Sequence, residues 1–301
     1  MKKHVFRILL ASILTGFVFL PENSVAQKDE LKAKIDSISK LVQGTVGIGI
    51  MDLKSGETLY LNEKHQFPMQ SVFKFPLGMA VLDQVDKGKL SLDQKIHVKK
   101  EDLNPDTWSP LQKKFPEGNL DLSLRELLTY TVSLSDNNTC DILFRLVGGP
   151  RNVNKYMQSI GVKGINIVAT EAEMAKNWDV QFTNWCRPPA MIQLLDVFHQ
   201  GKKLSKSSTE FLMKIMTETP TGLNRIKGLL PENTKVAHKT GSSGTNDKGI
   251  SAAFNDAGIV TMPNGKSIAI VAFVSNTPAD EKTRDMVIAQ ISRAAWDYYS
   301  R

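Results

Sequence analysis

The stretch QSVFKFPLGMAVLDQV, residues 70–85, decides the fold. Its apolar residues recur at the spacing of a helix, as at Leu77 and Val81, and polar residues precede it. The pattern predicts a helix that begins at about Ser71. Ser71 and Lys74 are three residues apart, so they share one face of that helix.

The Ser71/Lys74 pair indicates nucleophilic catalysis. A neighbouring amine can take the proton of a serine hydroxyl, and the unpaired N–H groups of a first helical turn stabilise an oxyanion. A four-residue pattern of this kind also arises by chance, as a capping serine followed by a solvated lysine. Residues elsewhere in the chain therefore have to decide between the two interpretations.

Outside this stretch the periodicity changes twice along the chain. Upstream, it predicts an amphipathic helix and two strands, over residues 28–41, 46–53 and 57–61. From Ser71 to about Glu218 it is mainly helical, with helices predicted over residues 122–129, 141–147, 153–160, 191–199 and 209–217. After Lys235 it predicts four strands and a final helix, over residues 236–240, 250–255, 258–262, 267–274 and 281–299.

Strands at both ends of the chain, with helices between them, predict an α/β (α+β) fold. In this fold one antiparallel sheet forms from both chain termini, helices flank it, and an all-helical domain is inserted. The predicted sheet domain comprises residues 27–66 and 221–301, and the predicted helical domain comprises residues 67–220. The cleft between two such lobes is a common place for a small-molecule site.

Residues 1–26 have the features of a secretory signal peptide. Basic residues precede an apolar run over residues 8–20, and Ser24-Val25-Ala26 supplies a small-residue cleavage site. The apolar run is short for a membrane span, which makes an uncleaved anchor the less favoured alternative. No cysteine lies near the predicted cut, so a lipoprotein anchor has no support. We expect a secreted, periplasmic protein without a stable membrane anchor.

Charge, histidine and cysteine content limit the function classes. The net charge is +7, but the lysines are spread along the chain without interleaved aromatic residues, which argues against a nucleic-acid partner. The five histidines show no metal-ligand spacing, and we expect neither a metal nor a cofactor. Cys140 and Cys186 can pair in an oxidising compartment, but the apolar helical pattern around Cys140 slightly favours two free thiols.

Two further motifs form a set with the Ser71/Lys74 pair. Ser135-Asp136-Asn137 lies in a predicted turn between two helices, where these residue types also act as caps. Lys239-Thr240-Gly241 lies at a strand end, where glycine leaves room for a substrate along the edge. Each motif is weak alone. Ser-x-x-Lys, Ser-Asp-Asn and Lys-Thr-Gly in this order are a strong joint signal for class A β-lactamases and penicillin-binding proteins.

On these motifs the chain resembles the class A serine β-lactamases over nearly its whole mature length, in particular the cephalosporinase branch with the PER, VEB and CfxA types. The resemblance implies that Ser71 is the acylated nucleophile and Lys74 a proton acceptor. It implies that Ser135 relays a proton to the departing lactam nitrogen. Asn137 would hold the amide of the substrate side chain.

The same resemblance assigns the binding of the substrate carboxylate to Lys239 and Thr240. The backbone N–H groups of Ser71 and Ser242 would form the oxyanion hole, where loss of one donor typically costs roughly 3–4 kcal/mol. The remaining contacts would come from the cleft mouth and from a guanidinium.

Trp108 matches an aromatic residue that can stack on the substrate at the cleft mouth, with a partly buried loop aromatic as the alternative. Arg225 matches a position where some family members supply a carboxylate-binding guanidinium. Lys248 is its competitor for that role, and an ordinary surface arginine is the alternative.

Glu171 distinguishes a hydrolase from an enzyme that is only acylated. The resemblance places it at the general-base position, where it would activate water against the acyl-enzyme. Glu173 is the rival acid in the same segment, and two solvated loop acids are the alternative. Most class A enzymes have asparagine four residues after this glutamate, whereas this chain has Ala175. The departure leaves the positioning of the hydrolytic water open.

The resemblance therefore implies a β-lactamase that hydrolyses β-lactam antibiotics, with cephalosporins and penicillins as the expected substrates, and confers antibiotic resistance. We expect it to be a monomer whose only partner is its small-molecule substrate. The alternatives are a penicillin-binding D,D-peptidase and a non-catalytic penicillin sensor.

Overall fold

The structure is a computed structural model that describes residues 22–300. The first elements in chain order are α1 (Glu22–Ser39), β1 (Thr45–Asp52), β2 (Thr58–Leu61), β3 (Phe67–Pro68), α2 (Lys74–Asp86), β4 (Lys95–Val98), α3 (Pro110–Lys114), β5 (Leu120–Ser123), α4 (Leu124–Val132), α5 (Asn137–Leu146) and α6 (Pro150–Ser159). The others are β6 (Ile165–Asn166), α7 (Glu171–Lys176), β7 (Trp185–Cys186), α8 (Pro188–His199), α9 (Lys206–Thr217), β8 (Lys235–Ser242), β9 (Phe254–Thr261), β10 (Ser267–Ser275) and α10 (Glu281–Tyr299). Short 3-10 helices cover Gln70–Phe73, Lys100–Asp102 and Trp178–Thr183.

The main sheet joins the two ends of the chain. Its five strands are ordered β2-β1-β10-β9-β8 and every neighbouring pair is antiparallel. The pairing of β1 with β10 sets Ile48 opposite Ala272 and Ile50 opposite Ile270. The predicted antiparallel sheet built from both termini is therefore confirmed, and β8, which carries the Lys-Thr-Gly motif, forms one edge.

Apolar side chains on the two faces of this sheet belong to two cores. One core lies between the sheet and the pair α1 and α10, and it includes Ile35, Ile270 and Ile291. The other joins the opposite face to the helices and includes Phe273 and Phe75. This second core crosses the predicted boundary between the sheet domain and the helical domain. The division of the chain into residues 27–66 with 221–301 and residues 67–220 stays a prediction.

Two expectations about secondary structure were wrong. The segments 250–255 and 258–262 do not form separate strands, because Phe254–Thr261 is one continuous strand. The break expected at residues 256–257 is absent. Asn255 and Asp256 are fully buried, the side-chain amide of Asn255 donates to the Pro68 carbonyl oxygen, and Asp256 Oδ2 accepts the N–H of Ile226. The block of residues 67–220 is also not purely helical, since β3 to β7 lie inside it. In particular, residues 120–123 pair with β4, so the helix predicted from residue 122 begins at Leu124.

Other expectations are confirmed within the described residues. The final helix has the predicted bounds, Glu281–Tyr299. Cys140 and Cys186 are both buried free thiols. No helix among residues 22–300 is both long and apolar enough to cross a membrane. The predicted signal peptide lies mostly outside the described residues and stays a prediction.

Candidate active site

Ser71 lies in the 3-10 turn Gln70–Phe73 that leads directly into α2. The residue before it, Gln70, has a φ of +48°, and Ser135 has a φ of +59°. The other non-glycine residues with positive φ between residues 22 and 300 are all asparagines, which tolerate this conformation. A left-handed backbone at Gln and Ser stores strain, and such strain clusters at functional sites. Both strained residues border the same cleft.

The predicted site residues come together in this cleft, a cavity of about 300 Å³. Eight of the ten line its wall, namely Ser71, Trp108, Ser135, Asn137, Glu171, Arg225, Thr240 and Ser242. The other two, Lys74 and Lys239, are fully buried and hydrogen-bond to residues of that wall. Residues from the 3-10 turn, from α5, from α7 and from β8 thus meet around one concave surface.

The buried ammonium of Lys74 is surrounded by acceptors. Its Nζ lies 3.1 Å from Ser71 Oγ, 2.8 Å from the Ser135 carbonyl oxygen and 2.9 Å from Glu171 Oε1, and it also donates to Asn137 Oδ1. An ammonium has three protons, so one of these four contacts lacks a Lys74 proton at any time. If one Lys74 proton moves to the Glu171 carboxylate, the neutral amine that remains can receive the proton of the Ser71 hydroxyl.

Glu171 begins α7 and reaches the same lysine. Its Oε1 makes an ion pair with Lys74 but has no hydrogen-bond partner among residues 22–300, so a lone pair is available. The rival acid Glu173 is exposed and completes a capping box with Thr170 at the start of α7. Of the two acids, the structure therefore brings Glu171 to Lys74 and to the cavity that Ser71 lines.

Asp141 holds the start of α7 in place. Its Oδ1 accepts the N–H of Glu171 at 2.8 Å, and its Oδ2 accepts the N–H of Ala172 at 2.9 Å. Burial, assisted by the negative charge of Glu171, raises the pKa of Asp141 to about 6 although these two N–H groups act in the opposite direction. The carboxylate connects α5 to the segment that carries the candidate base.

The cationic edge of the cleft is formed by β8. Lys239 Nζ donates to Ser135 Oγ at 2.9 Å, so the second and third motifs are in direct contact. Burial, and after it the positive charge of Lys74, lowers the pKa of Lys239 well below its ordinary value. Thr240 Oγ1 lies 3.0 Å from Thr221 Oγ1, which orients the threonine hydroxyl at the cavity wall.

Gly241 allows β8 to pass against the nucleophile. A Cβ at this position would lie 2.4 Å from the carbonyl oxygen of Met69 and 3.1 Å from the backbone nitrogen of Ser71. We expected this glycine to leave room for a substrate, and the structure shows that it leaves room for the Ser71 turn. The close approach places Ser242 beside Ser71, as an oxyanion hole made from their two backbone N–H groups requires.

Arg225 is buried and not a surface arginine. Its guanidinium donates to Ser242 Oγ at 2.7 Å and to the Asn255 carbonyl oxygen at 2.8 Å, and it lies 3.6 Å from the centre of the Phe254 ring. Nε lies 3.5 Å from an oxygen of Asp285. These partners use most of the N–H donors of the guanidinium. The hydrogen bond to Ser242 means that Arg225 also orients the Ser242 side chain.

Trp108 and Asn137 form the outer part of the cleft. The Trp108 ring is 53% exposed, and its indole N–H donates to the Leu134 carbonyl oxygen at 3.0 Å. The Asn137 amide is shared between Lys74 and Thr107 Oγ1, to which it donates at 2.7 Å. The polar end of Trp108 is thus anchored, Lys113 Nζ lies over the ring at 4.7 Å from its centre, and the rest of the exposed ring is available for stacking.

Comparison with known proteins agrees with this geometry. The model of the β-lactamase enzyme family matches residues 30–299. The chain belongs to this family. It is 44% identical to the β-lactamase VEB-1 of Pseudomonas aeruginosa over 99% of each chain. It is 40% identical to the extended-spectrum β-lactamase PER-1 of Pseudomonas aeruginosa over 97% of this chain and 94% of that one.

Solved β-lactamase structures share the fold. The extended-spectrum β-lactamase TLA-1 superposes with a TM-score of 0.89 at 51% identity, over 91% of this chain and 99% of that chain. A β-lactamase from Chitinophaga pinensis superposes with a TM-score of 0.87 at 56% identity, over 89% and 98%. The expected class A β-lactamase fold and activity are thereby confirmed.

Sequence reasoning did not single out three residues that shape the β-lactamase site. Gln70 donates to Gln181 Oε1 at 2.6 Å and ties the Ser71 turn to the segment that follows α7. Asp141 holds α7 and Thr221 orients Thr240. For these three residues the sequence offered one signal, namely that Asp141 is an acidic residue at the start of a predicted helix. The partners of these residues lie far away along the chain, so local patterns do not reveal them.

Asp136 of the second motif has a structural role. It is fully buried, caps α5 by accepting the N–H of Thr139 at 2.9 Å, and accepts from Ser109 Oγ at 2.8 Å and the N–H of Leu111 at 2.7 Å. Asp136→Ala leaves these donors unpaired, and we expect the β-lactamase to lose about 4 kcal/mol of unfolding free energy in urea titrations. Asp136→Asn keeps one carbonyl acceptor and should lose about half as much. A loss below about 1 kcal/mol in the alanine variant would contradict this role.

Asp141 makes the stability of the enzyme depend on pH. An aspartate in an unfolded chain has a pKa of about 3.9. Because the folded-state pKa is raised to about 6, the stabilising contribution of Asp141 is present at low pH and is lost as the pH rises through 6. Asn at this position does not titrate. The unfolding free energy of Asp141→Asn minus that of the wild type should therefore rise by about 2 kcal/mol between pH 4.5 and pH 7. A difference that does not change with pH would exclude a raised pKa at Asp141.

Proposed function

We propose that this β-lactamase opens the lactam ring of penicillins and cephalosporins through an acyl-enzyme on Ser71. Lys74 first gives one proton to the Glu171 carboxylate, and the neutral amine then takes the proton of the Ser71 hydroxyl as Oγ attacks the lactam carbonyl carbon. The N–H groups of Ser71 and Ser242 stabilise the oxyanion, and Ser135 passes a proton to the lactam nitrogen as the C–N bond breaks. Ser135 recovers a proton from Lys74, and Lys74 takes back the proton held by Glu171.

In the second half of the reaction, Glu171 takes a proton from water as the water oxygen attacks the ester carbon. The C–O bond to Ser71 breaks, and Oγ recovers the proton that Glu171 passes on through Lys74. Lys239 and Thr240 bind the substrate carboxylate, and Arg225 supports that contact by holding Ser242. Asn137 and Trp108 hold the acyl side chain.

The observation that carries this proposal is the position of Lys74 Nζ, 3.1 Å from Ser71 Oγ and 2.9 Å from Glu171 Oε1. Lys74, the proposed proton acceptor for acylation, is then within hydrogen-bond distance of the nucleophile, and Glu171, the proposed base for deacylation, is within hydrogen-bond distance of Lys74. General base catalysis requires contacts of this length. A peptidase that is only acylated has no need for the second group.

Mass spectrometry of the protein mixed with a cephalosporin tests the proposal. We expect a transient adduct on Ser71 that disappears as the hydrolysed product accumulates. A long-lived adduct without turnover would indicate a penicillin-binding peptidase. The absence of any adduct would indicate a non-catalytic protein.

A second cavity of about 300 Å³ supports bulky cephalosporins as substrates. It shares Gln70, Asn137 and Glu171 with the first cavity and continues along Ala175 and Trp178. The small side chain of Ala175 widens this side of the cleft, where the acyl substituent of the substrate would lie. Steady-state kinetics with penicillins, with early and oxyimino cephalosporins and with a carbapenem would rank the substrates.

We also propose that the enzyme is exported to the periplasm, is cleaved after Ala26, and acts there as a monomer without a membrane anchor. The signal-peptide pattern of residues 1–26 supports export. All proposed catalytic groups come from one chain, which supports a monomer. N-terminal sequencing of the periplasmic protein and its mass in solution would test these points.

A further inference from the structure

A buried polar cluster lies beneath the cationic edge of the cleft. Asp256 of β9 is fully buried and pairs in register with Thr240 of the Lys-Thr-Gly motif. Its two carboxylate oxygens each lie 3.0 Å from Nδ1 of His238, and Oδ2 accepts the N–H of Ile226 at 3.2 Å. None of the proposed chemical steps uses this cluster.

The surroundings of the cluster indicate which group carries its charge. Nε2 of His238 is buried and has no hydrogen-bond partner among the described residues. An imidazolium would bury an unpaired N–H there, which is costly, whereas a neutral ring protonated on Nδ1 donates to Asp256 and leaves only a bare acceptor. The pair therefore keeps one negative charge, and this charge resides on the Asp256 carboxylate.

Two buried cations belong to segments that contact Asp256. Arg225 precedes Ile226, whose N–H the carboxylate accepts, and it donates to the carbonyl oxygen of Asn255, the residue before Asp256. Lys239 lies one residue from His238 and from Thr240. Buried cations are costly unless an anion compensates them, so the carboxylate stabilises both side chains in their charged forms.

We propose that Asp256 is a positioning residue of the substrate-carboxylate site. Its buried negative charge fixes the segment that carries Arg225 and keeps Lys239 in its ammonium form, although Asp256 touches no substrate. This inference rests on the proposed role of Lys239 in binding the substrate carboxylate. It adds a residue that sets the pH range over which that binding operates.

The other charged groups around Lys239 do not replace Asp256. Lys74 of α2 and Arg225 both disfavour the ammonium form of Lys239, and Glu171 of α7 favours it. Glu171 is however paired with Lys74, at 2.9 Å. Burial lowers the pKa of Lys239, and the charge of Asp256 is the first of the influences that raise it. Asp256 is therefore the anion acting on Lys239 that is not paired with Lys74.

Asp256→Asn tests the proposal, since it removes the charge and keeps the shape. We expect the alkaline limb of the kcat/KM profile to move down by about one pH unit. At pH 8 the KM for a cephalosporin with a free carboxylate should rise about tenfold. The kcat should change less than the KM. For a carboxylate ester of the same substrate, the KM should change little.

Asp285→Asn is the matched control, because it removes another carboxylate beside Arg225 that does not face Lys239. It should leave the alkaline limb in place. Equal shifts in both variants, or none in Asp256→Asn, would overturn the proposal. Asp256→Ser is a second neutral variant if the asparagine variant does not fold.

Titration of the Lys239 Nζ by ¹⁵N NMR in the free enzyme gives a readout that does not depend on turnover. A titration midpoint that is the same in the wild type and in Asp256→Asn would overturn the proposal even if the enzyme is a fully active β-lactamase. A midpoint that falls in the variant supports it, even if the assigned catalytic steps fail.

Discussion

Glu171→Gln is expected to turn a transient acyl-enzyme into one that persists. Glutamine cannot take a proton from water, so we expect deacylation to lose its proposed general base while acylation by the proposed pair Ser71 and Lys74 continues. General base catalysis contributes roughly 10²- to 10⁴-fold, and we expect kcat to fall by about 1,000-fold. Mass spectrometry should then find the covalent adduct as the main species minutes after a cephalosporin is added.

Glu173→Gln is the matched control for this experiment. Glu173 lies in the same helix, two residues further on, and its side chain is exposed and caps the helix start. Glutamine retains a carbonyl oxygen for that cap, so turnover should stay within a few-fold of the wild type. Persistence of the adduct in the Glu173 variant, with normal turnover in the Glu171 variant, would reverse the assignment of the base.

Lys74→Met is expected to slow acylation by about 1,000-fold, because it removes the proposed acceptor of the Ser71 proton. Methionine fills a similar volume in the buried site, so the fold should remain, as circular dichroism can verify. Single-turnover measurements of adduct formation separate this step from deacylation. The Glu171 carboxylate loses its buried partner in this variant, so the rate of deacylation should also change.

Lys176→Met is a suitable control for the lysine substitution. Lys176 is an exposed residue in the last turn of α7, and the same change there should leave acylation unaltered. Acylation within tenfold of the wild type in Lys74→Met would show that Lys74 is not the proton acceptor. The Glu171 carboxylate, acting through a water molecule, would then be the alternative base for acylation.

Arg225 and Asp141 make contacts that could not be predicted from the sequence. Arg225 was expected at the site with Lys248 as competitor, and its burial and its contact with Ser242 become visible only in the fold. Asp141 was assigned no role, because the N–H groups that it accepts are 30 and 31 residues away. In both cases the decisive partner lies on another element.

Strand boundaries show a related limit. Residues 256–257 were expected to separate two strands, yet they lie inside one strand. Side-chain patterns assume that polar groups face water, and this assumption fails where the fold supplies internal hydrogen-bond partners. Sites that bury charge are therefore the places where pattern-based boundaries are least accurate.

The sequence by itself determined the sheet made from both chain ends, the family resemblance and the pairing of Ser71 with Lys74. These features depend on local periodicity and on spacing within one helix, which the order of residues sets directly. Only the tertiary structure decided that Glu171, and not Glu173, reaches Lys74, and that the Asp256 charge lies beneath the cationic edge. Both follow from contacts between distant elements, where burial determines which polar groups must pair and which remain available for chemistry.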